Sequence, residues 1–196
     1  MYVATLIANS KNRNLSELIL KQVVNDLGGV KYKVLDDNIA IDINLVSEPS
    51  NFEIVWKQLQ KYQIDIVIQP IKNRRKNILL ADMDSTMIEQ ECIDELADEA
   101  GVGKRVAEIT KRAMNGELDF EDALIERVKL LKGLSSDIIV NVLKGRITLM
   151  PGAESLIKTM KRNGSYCALV SGGFTDFTEA ISKMLGFDEN RANTLL

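Results

Sequence analysis

The stretch NILLADMDSTMIEQE, residues 77–91, ends a short apolar run in two aspartates, Asp82 and Asp84. Its apolar residues 78–81 are typical of a strand that is buried in a parallel sheet. In open α/β sheets, ligands bind at the carboxyl ends of the strands, which is where this pattern places Asp82. Because unpaired charge is costly to bury, the stretch indicates either a polar turn that caps a helix or a catalytic loop.

The segments on either side of this strand predict two domains. Residues 1–71 predict the element order β-α-β-β-α-β, the split βαβ or ferredoxin-like plan. Residues 77–196 predict an open α/β domain with a helical cap inserted at about 88–147, after its first strand. The apolar patterns predict strands at 2–8, 31–38, 39–46, 64–70, 77–81 and 165–173. They predict helices at 15–27, 50–62, 88–101, 103–116, 119–133, 135–145, 151–164 and 174–186, of which three begin at Ser50, Asp119 and Ser135.

The order of elements in residues 1–71 resembles that of ACT-like regulatory domains, which are attached to enzymes of amino-acid metabolism. Such domains often approach an amino-acid effector through a glycine in the first strand–helix loop. Here that loop, residues 9–12, reads NSKN and has no glycine. Effector binding and a purely structural or dimerising role therefore both stay open.

The composition excludes several classes of enzyme. The 196 residues contain no histidine, which removes Ser-His-Asp hydrolases, phosphohistidine chemistry and nearly every catalytic zinc site built on imidazole. Neither Cys92 nor Cys167 is followed six residues later by arginine, so a cysteine-based phosphatase loop is absent. Any catalysis must therefore use carboxylates, hydroxyls, lysine, arginine or an oxygen-bound metal.

Charge, hydropathy and cysteine usage set the expected partners and location. The formal net charge is −3, and the short basic cluster at 72–76 is typical of a solvated linker, so we expect no nucleic-acid partner. No apolar stretch approaches the roughly 18 residues of a membrane span, and the first twenty residues do not have the layout of a secretory signal, so we expect no membrane partner. The two cysteines lie far apart and form no CxxC, which is typical of a reducing compartment and predicts a cytoplasmic protein.

The spacing of the acidic residues excludes two familiar loops. An EF-hand calcium loop beginning at Asp82 requires Asp or Asn at its fifth position and glycine at its sixth, where the chain has Thr86 and Met87. No GxxxxGK[ST] phosphate loop occurs either. A carboxylate nucleophile remains: Asp82 could form an aspartyl-phosphate, with Asp84 as general acid and base and Mg²⁺ to neutralise charge. The spacing alone leaves the ordinary polar turn open.

The segment DMDSTMIEQE, residues 82–91, resembles the DxDST motif of the haloacid dehalogenase superfamily, and specifically of its phosphoserine phosphatases. The resemblance continues from about residue 77 to 196 and includes the helical insert, which is similar to the family's cap domain. It covers two long runs, MNGELDFEDALIERVKLLKGL and MPGAESLIKTMKRNGSYCALVSGGF. It implies that the second domain is a Rossmann-like haloacid dehalogenase core.

The resemblance implies a catalytic pair, a metal and a phosphate site. Asp82 matches the nucleophile, which also binds Mg²⁺ through its side chain. Asp84 matches the general acid and base, whose main-chain carbonyl binds the same metal. Ser171 and Gly172 match a second motif, which hydrogen-bonds the phosphoryl oxygens. Without the resemblance, residues 171–173 are equally typical of a turn that ends a strand.

The resemblance also implies a substrate and a closing cap. Glu91 matches the acid that meets the substrate's ammonium group, and Arg127 matches the arginine that pairs with its carboxylate. Met114 and Phe120 match apolar residues that line the closed cap. On periodicity alone, Glu91 and Arg127 would be surface charges on amphipathic helices. The implied reaction is the Mg²⁺-dependent hydrolysis of O-phospho-L-serine to L-serine and phosphate, a step of L-serine biosynthesis.

The resemblance breaks at the end of the sequence. The family pattern continues with a lysine that stabilises the phosphoryl group, and then with a strand whose aspartates complete the Mg²⁺ site. Lys183 lies too early to match this lysine. We therefore expect an incomplete core in which the C-terminal part is missing, strand 78–81 exposes its edge, and Mg²⁺ binding and activity of the chain alone are weak.

Other functions stay open at this point. Within the superfamily, a phosphatase for another small metabolite would use the same residues, and so would a phosphotransferase that passes the phosphoryl group to a second hydroxy amino acid. From a different class, residues 1–71 could make the chain a non-catalytic module that binds an amino acid or forms a homodimer.

Overall fold

The structure is a computed structural model and describes residues 1–195. The chain divides into two compact units, Met1–Arg75 and Lys76–Leu196. Each unit buries a hydrophobic core of its own. The first is built on an antiparallel sheet and the second on a parallel sheet.

The first unit has the predicted element order and forms a four-stranded sheet whose helices pack on one face. The strands lie in the order β2-β3-β1-β4. Because side chains alternate along a strand, every second residue of β1, β3 and β4 points into the core beside the helices. The elements are β1 (Tyr2–Ala8), α1 (Glu17–Leu27), β2 (Lys31–Asp36), β3 (Ala40–Leu45), α2 (Phe52–Gln60) and β4 (Ile64–Pro70).

Capping explains where the helices of this unit begin and end. The hydroxyl of Ser16 accepts a hydrogen bond from the first turn of α1. Gly28 ends that helix in the left-handed conformation, with a φ of 66°. The prediction that α2 begins at Ser50 is wrong. The carbonyl of Asn51 already accepts the first amide hydrogen bonds, so the helix begins at Phe52.

An ion pair lies on the sheet face opposite the helices. The guanidinium of Arg74 donates to both carboxylate oxygens of Asp42, at 2.6 and 2.8 Å, and to the hydroxyl oxygen of Thr5 at 2.9 Å. Burial raises the pKa of Asp42, but the hydrogen bonds from Arg74 and Thr5 outweigh burial and hold that pKa below its ordinary value. The Asp42 side chain is only 13% exposed, so this bidentate pair fixes the end of the unit to its sheet.

Replacing Arg74 by Met is expected to lower the free energy of unfolding of this unit by about 1–3 kcal/mol, because the carboxylate of Asp42 loses its partners. Trp56 is the only tryptophan of the chain and lies in α2, so its fluorescence reports on this unit during urea denaturation. A carboxylate with a lowered pKa stabilises the fold only while it is ionised. The difference between the two proteins should therefore shrink as the pH falls below the ordinary aspartate value of 3.8.

Arg13→Met is the matched control for this substitution. Arg13 and Asp36 form a pair at 3.6 Å whose side chains are 53% and 58% exposed. Its loss should change the free energy of unfolding by less than about 0.5 kcal/mol. Equal effects of the two substitutions would contradict the stabilising role of Arg74.

The second unit is a three-stranded parallel sheet in which a helical insert follows the first strand. The strands lie in chain order, β5-β6-β7. This confirms the predicted α/β class with its helical insertion. The elements are β5 (Ile78–Ala81), α3 (Cys92–Glu99), α4 (Gly103–Met114), α5 (Phe120–Leu130), α6 (Asp137–Gly145), α7 (Ala153–Arg162), β6 (Tyr166–Phe174), α8 (Thr175–Leu185) and β7 (Glu189–Asn193).

Strand β7 is absent from the sequence-based prediction. Its sequence, ENRAN, has no apolar alternation, and none of its residues is fully buried. The strand exists because its backbone pairs with β6, between residues 168–174 and 189–193. Such pairing depends on tertiary context, which local periodicity does not encode.

The first helix of the insert begins later than predicted. Residues 87–89, which enter the insert, lie antiparallel to residues 148–150, which leave it. Two backbone hydrogen bonds of 3.0 Å join the segments. Because these backbone groups are used in the cross-link, the helix does not begin at residue 88, and α3 starts at Cys92. The cross-link fixes both ends of the insert at the sheet.

Two other predicted helix starts have different outcomes. Asp119 caps α5 as predicted, since its carboxylate accepts a hydrogen bond from the amide of Asp122 at 2.8 Å. Ser135 lies one residue before the actual N-cap of α6, which is Ser136. The hydroxyl of Ser135 still accepts a hydrogen bond from the amide of Asp137, at 3.3 Å.

Strand β5 lies at one edge of the described sheet. Within residues 1–195 it pairs with β6 alone. Its side chains Ile78 and Leu80 are each 68% exposed. Within this part of the chain, the backbone edge of β5 away from β6 has no partner strand and is open to edge pairing.

The described residues contain no helix that is both long enough and apolar enough to cross a membrane. Cys92 and Cys167 are free thiols and are fully buried. Cys92 belongs to the hydrophobic core of the second unit. Both cysteines therefore pack as small apolar residues.

Candidate active site

A tight loop after β5 carries Asp82 and Asp84. The side chain of Met83 between them is fully buried, and its carbonyl accepts hydrogen bonds from the amides of residues 86–88 at 2.9–3.3 Å. The amide of Met83 donates to Oδ1 of Asp82 at 2.8 Å. The loop therefore turns around the buried Met83 and leaves an exposed Asp82 and a partly buried Asp84 at the carboxyl end of the strand.

The carboxyl group of Asp84 has an unusual environment. Its Oδ1 atom is buried and has no hydrogen-bond partner in the part of the chain that the structure describes. Burial raises the pKa of Asp84 to about 6; contact with Cys92 opposes this rise, and the negative charges of Glu91 and Asp82 add to it. A carboxyl group with such a pKa can both hold and release a proton near neutral pH, as general acid–base chemistry requires.

The second predicted motif lies at the carboxyl end of the neighbouring strand, β6. The pairing of β6 with β7 shifts register at residues 171–173, which form a bulge. Nδ2 of Asn193, in β7, donates to the carbonyl of Gly172 at 2.8 Å. The amide of Gly173 donates to Oγ of Ser171 at 2.9 Å. These two hydrogen bonds fix the shape of the bulge.

The two glycines bring the backbone of this bulge close to its neighbours. A Cβ atom on Gly172 would lie 3.1 Å from Cζ of Phe120, which belongs to the helical insert. A Cβ atom on Gly173 would lie 3.4 Å from Oδ2 of Asp84. The bulge therefore lies between the carboxylate loop and the insert, and a side chain at Gly172 would displace Phe120.

The two loops and the insert enclose a pocket of about 210 Å³. It combines three carboxylates, one guanidinium, the glycine bulge and several apolar side chains. Its lining residues are Asp82, Asp84, Glu91, Ile93, Phe120, Leu124, Arg127, Ser171, Gly172, Gly173 and Phe174. A larger cavity of about 990 Å³ shares Phe120, Leu124 and Phe174 with this pocket, so the two cavities adjoin along these side chains.

Two charged residues of the insert line this pocket, and they come from different segments of it. Glu91 precedes α3, and its Oε1 atom accepts a hydrogen bond from Oγ of Ser85 at 2.7 Å. Arg127 lies on α5, and its Nε donates to the carbonyl of Ala123 at 3.1 Å. Its terminal nitrogens bond to no residue within 1–195. The pocket thus presents an anion and a cation to a ligand.

The family of the second unit follows from its sequence as well as its geometry. The model of haloacid dehalogenase-like hydrolases matches residues 79–196, well over half of the chain, and this range includes both loops of the pocket. The chain belongs to this family.

Three similar proteins refine the comparison. A phosphoserine phosphatase of Archaeoglobus fulgidus is 45% identical over 141 residues, which are 71% of this chain and 41% of the relative. A haloacid dehalogenase family hydrolase of Salmonella enterica serovar Typhi has a structure similar to 100% of this chain and 68% of its own, with a TM-score of 0.83 and 26% identity. A phospho-aspartyl intermediate analogue of a phosphoserine phosphatase covers 63% of this chain and 58% of its own, with a TM-score of 0.57 and 46% identity. The chain spans 32–58% of the length of the curated relatives it matches.

The haloacid dehalogenase-like unit brings seven of the predicted site residues to the pocket, and Met114 is the exception. Met114 is the last residue of α4, is 84% exposed and does not line the pocket. The buried residue of α4 is Val106; Met114 follows eight residues later, about 80° around the helix axis. It therefore lies beside the buried face of α4, at the exposed end of the helix, and its match to a residue that lines the closed cap stays a prediction.

Sequence reasoning misses two polar residues of this haloacid dehalogenase-like site. Ser85 stands in the DxDST motif, but nothing in the spacing connects it to Glu91. Asn193 lies in the strand that the sequence does not predict, so no signal could have found it. Helical or strand periodicity identifies the remaining lining residues only as apolar or small: Ile93, Leu124, Gly173 and Phe174.

Proposed function

We propose that the pocket of the second unit hydrolyses O-phospho-L-serine to L-serine and phosphate through an aspartyl-phosphate. The observation that carries this proposal is the meeting of Asp82 and Asp84 with Glu91 and Arg127 in one pocket of about 210 Å³. The identity of 45% with the Archaeoglobus fulgidus phosphoserine phosphatase supports it.

The proposed substrate carries three charged groups, and the pocket offers a partner for each. Glu91 would accept hydrogen bonds from the ammonium group. Arg127, whose terminal nitrogens bond to no residue in the described range 1–195, would bind the carboxylate in a bidentate manner. The phosphate would lie against the bulge at 171–173, beside Asp82. A carboxylate and a guanidinium in one small pocket favour an amino-acid phosphate over a simple phosphate ester.

Asp82 is the proposed nucleophile and Asp84 the proposed proton carrier. The carboxylate of Asp82 attacks phosphorus, and the bond between phosphorus and the serine oxygen breaks as the new bond to Asp82 forms. Asp84 gives its proton to the departing serine oxygen. It then takes a proton from the water that attacks phosphorus, which releases phosphate and restores Asp82.

The donor set fits Mg²⁺. This ion is usually held in phosphate-handling sites by one or two carboxylates together with phosphate and water. No group of three or more acidic, cysteine or histidine side chains within residues 1–195 could hold a metal, but the exposed carboxylate of Asp82 lines the pocket and could supply one oxygen ligand. We propose that the side chain of Asp82 and the main-chain carbonyl of Asp84 hold Mg²⁺, which would neutralise charge on the phosphate.

The N-terminal unit is proposed to be an ACT-like domain, residues 1–71. Its sheet order, β2-β3-β1-β4, supports this assignment. All six residues of β2 are exposed, so this strand offers an edge for pairing with a second copy in a homodimer. The free thiols Cys92 and Cys167 support a cytoplasmic location. The proposed reaction would serve L-serine biosynthesis.

Phosphate release from O-phospho-L-serine in the presence of Mg²⁺ tests the proposed function. The assay compares the 196-residue chain with a version extended by the C-terminal segment of the Archaeoglobus fulgidus relative. We expect release in at least the extended protein. If both proteins are folded and neither releases phosphate, the proposed function is wrong. Adding a second hydroxy amino acid, and looking for its phosphate ester, distinguishes a phosphotransferase from a phosphatase.

A further inference from the structure

The backbone of Ser85 is held in an uncommon conformation. Its φ of 53° lies in the left-handed region, which residues with a side chain rarely adopt. Hydrogen bonds of the loop enforce this conformation. The amide of Ser85 donates to the carbonyl of Gln90 at 3.2 Å, and the carbonyl of Met83 accepts hydrogen bonds from the amides of residues 86–88. Strained residues of this kind concentrate at functional sites, where the surrounding structure holds them in place.

In this conformation the hydroxyl of Ser85 reaches a carboxylate that lines the pocket. Its Oγ atom donates to Oε1 of Glu91 at 2.7 Å. Glu91 is exposed and is not capped or paired by any other side chain in the part of the chain described here. The hydroxyl therefore restricts a long side chain that would otherwise sample many rotamers, and it leaves Oε2 available to a ligand.

We propose that Ser85 is a positioning residue for recognition of the substrate's ammonium group. It does not touch the reacting atoms; it orders the Glu91 carboxylate before the ligand arrives, so that binding does not have to order it. The inference rests on the proposed function, since it requires a substrate that carries an ammonium group. It goes beyond that function because it makes selectivity depend on a residue of the nucleophile loop.

Two phosphate esters and two substitutions isolate this effect. O-phospho-L-serine is compared with 3-phosphooxypropanoate, which is the same molecule without the ammonium group. Ser85→Ala removes the hydroxyl and keeps a Cβ atom. Ser85→Gly removes the hydroxyl and also relieves the left-handed backbone. Dissociation constants are measured by calorimetry in an Asp82→Asn background, which prevents turnover.

We expect both substitutions at Ser85 to weaken O-phospho-L-serine binding by about 3- to 10-fold, the scale of ordering one long side chain. Binding of 3-phosphooxypropanoate should change by less than about 2-fold. Adding Ser85→Ala to Glu91→Gln should have no further effect on either ligand, since the serine acts through that carboxylate.

Tyr166→Phe is the matched control. The hydroxyl of Tyr166 donates to the carboxylate of Glu189 at 2.8 Å, a hydroxyl–glutamate pair of which neither residue lines the pocket. This substitution should leave the affinity for both esters unchanged.

Three results would overturn the inference. Equal weakening of the two esters by Ser85→Ala would show a general structural role. Weakening by Ser85→Ala but not by Ser85→Gly would show that the backbone matters and the hydroxyl does not. Unchanged affinities would show no role at all. Failure of the proposed function looks different, because the protein with an intact Ser85 would then bind O-phospho-L-serine no more tightly than 3-phosphooxypropanoate.

Discussion

Asp82→Asn is expected to slow phosphate release from O-phospho-L-serine by at least about 10⁴-fold, the scale on which enzymes respond to loss of a covalent nucleophile. The amide has nearly the same size, but it carries no charge and is a poor nucleophile toward phosphorus. Asp82 is exposed at the end of β5 and, among the residues that the structure describes, accepts only a local hydrogen bond from the amide of Met83. The loss should therefore appear in turnover, while the melting temperature stays close to that of the unsubstituted protein.

Asp26→Asn provides the control for a generic loss of charge. Asp26 is an exposed residue of α1 in the first unit, and its substitution should leave phosphate release unchanged. Residual activity of Asp82→Asn above a few per cent, in a folded protein free of the unsubstituted enzyme, would mean that another group attacks phosphorus.

Glu91→Gln and Arg127→Gln are expected to produce a crossed pattern of affinities. Each substitution removes one charge-assisted hydrogen-bonding partner, which corresponds to about 10- to 100-fold in affinity. Glu91→Gln should weaken the esters that carry an ammonium group, O-phospho-L-serine and O-phosphoethanolamine, and spare 3-phosphooxypropanoate. Arg127→Gln should weaken the esters that carry a carboxylate, O-phospho-L-serine and 3-phosphooxypropanoate, and spare O-phosphoethanolamine.

The crossed pattern would show that Glu91 and Arg127 each recognise one charged group of the ligand, because a general change of charge would alter the affinity for all three esters alike. Arg112→Gln is the control, because Arg112 pairs with Glu126 at 3.0 Å between α4 and α5 and does not line the pocket. It should leave all three affinities within about 2-fold, as expected for a half-exposed pair away from the ligand. If Arg127→Gln weakened all three esters equally, Arg127 would act on the phosphate, and the proposed orientation of the substrate would be reversed.

Local sequence signals predict the elements whose formation depends on local physics. The helix α5 has a polar cap at Asp119 and apolar residues at helical spacing, so both its existence and its start are predicted. Strand β6 is predicted from an apolar run that two glycines follow, and the structure extends it by one residue to Phe174. Strand β7 and the start of α3 depend instead on backbone pairing between distant residues, at 168–174 with 189–193 and at 87–89 with 148–150. No periodicity in the sequence reports such pairing.

The residues of the candidate site differ in the same way, because local sequence signals predict some of them and tertiary packing brings in the others. Asp82 and Asp84 could be expected at the end of a strand from the apolar run before them. The meeting of Glu91 with Arg127 in that pocket depends on how α3 and α5 pack, and only the family resemblance anticipates it. Met114 is exposed at the end of α4, so its place in a closed cap rests on the resemblance alone. The raised pKa of Asp84 arises from burial, which spacing alone does not predict.

The most direct test of the account is to trap the phosphoryl group on the protein during turnover of O-phospho-L-serine. Borohydride reduction of an aspartyl-phosphate converts that aspartate to homoserine, which mass spectrometry locates on a peptide. The account predicts homoserine at residue 82, dependent on the substrate and absent from the Asp82→Asn variant. Phosphate release without any modification at Asp82, or with the label on another residue, would contradict it.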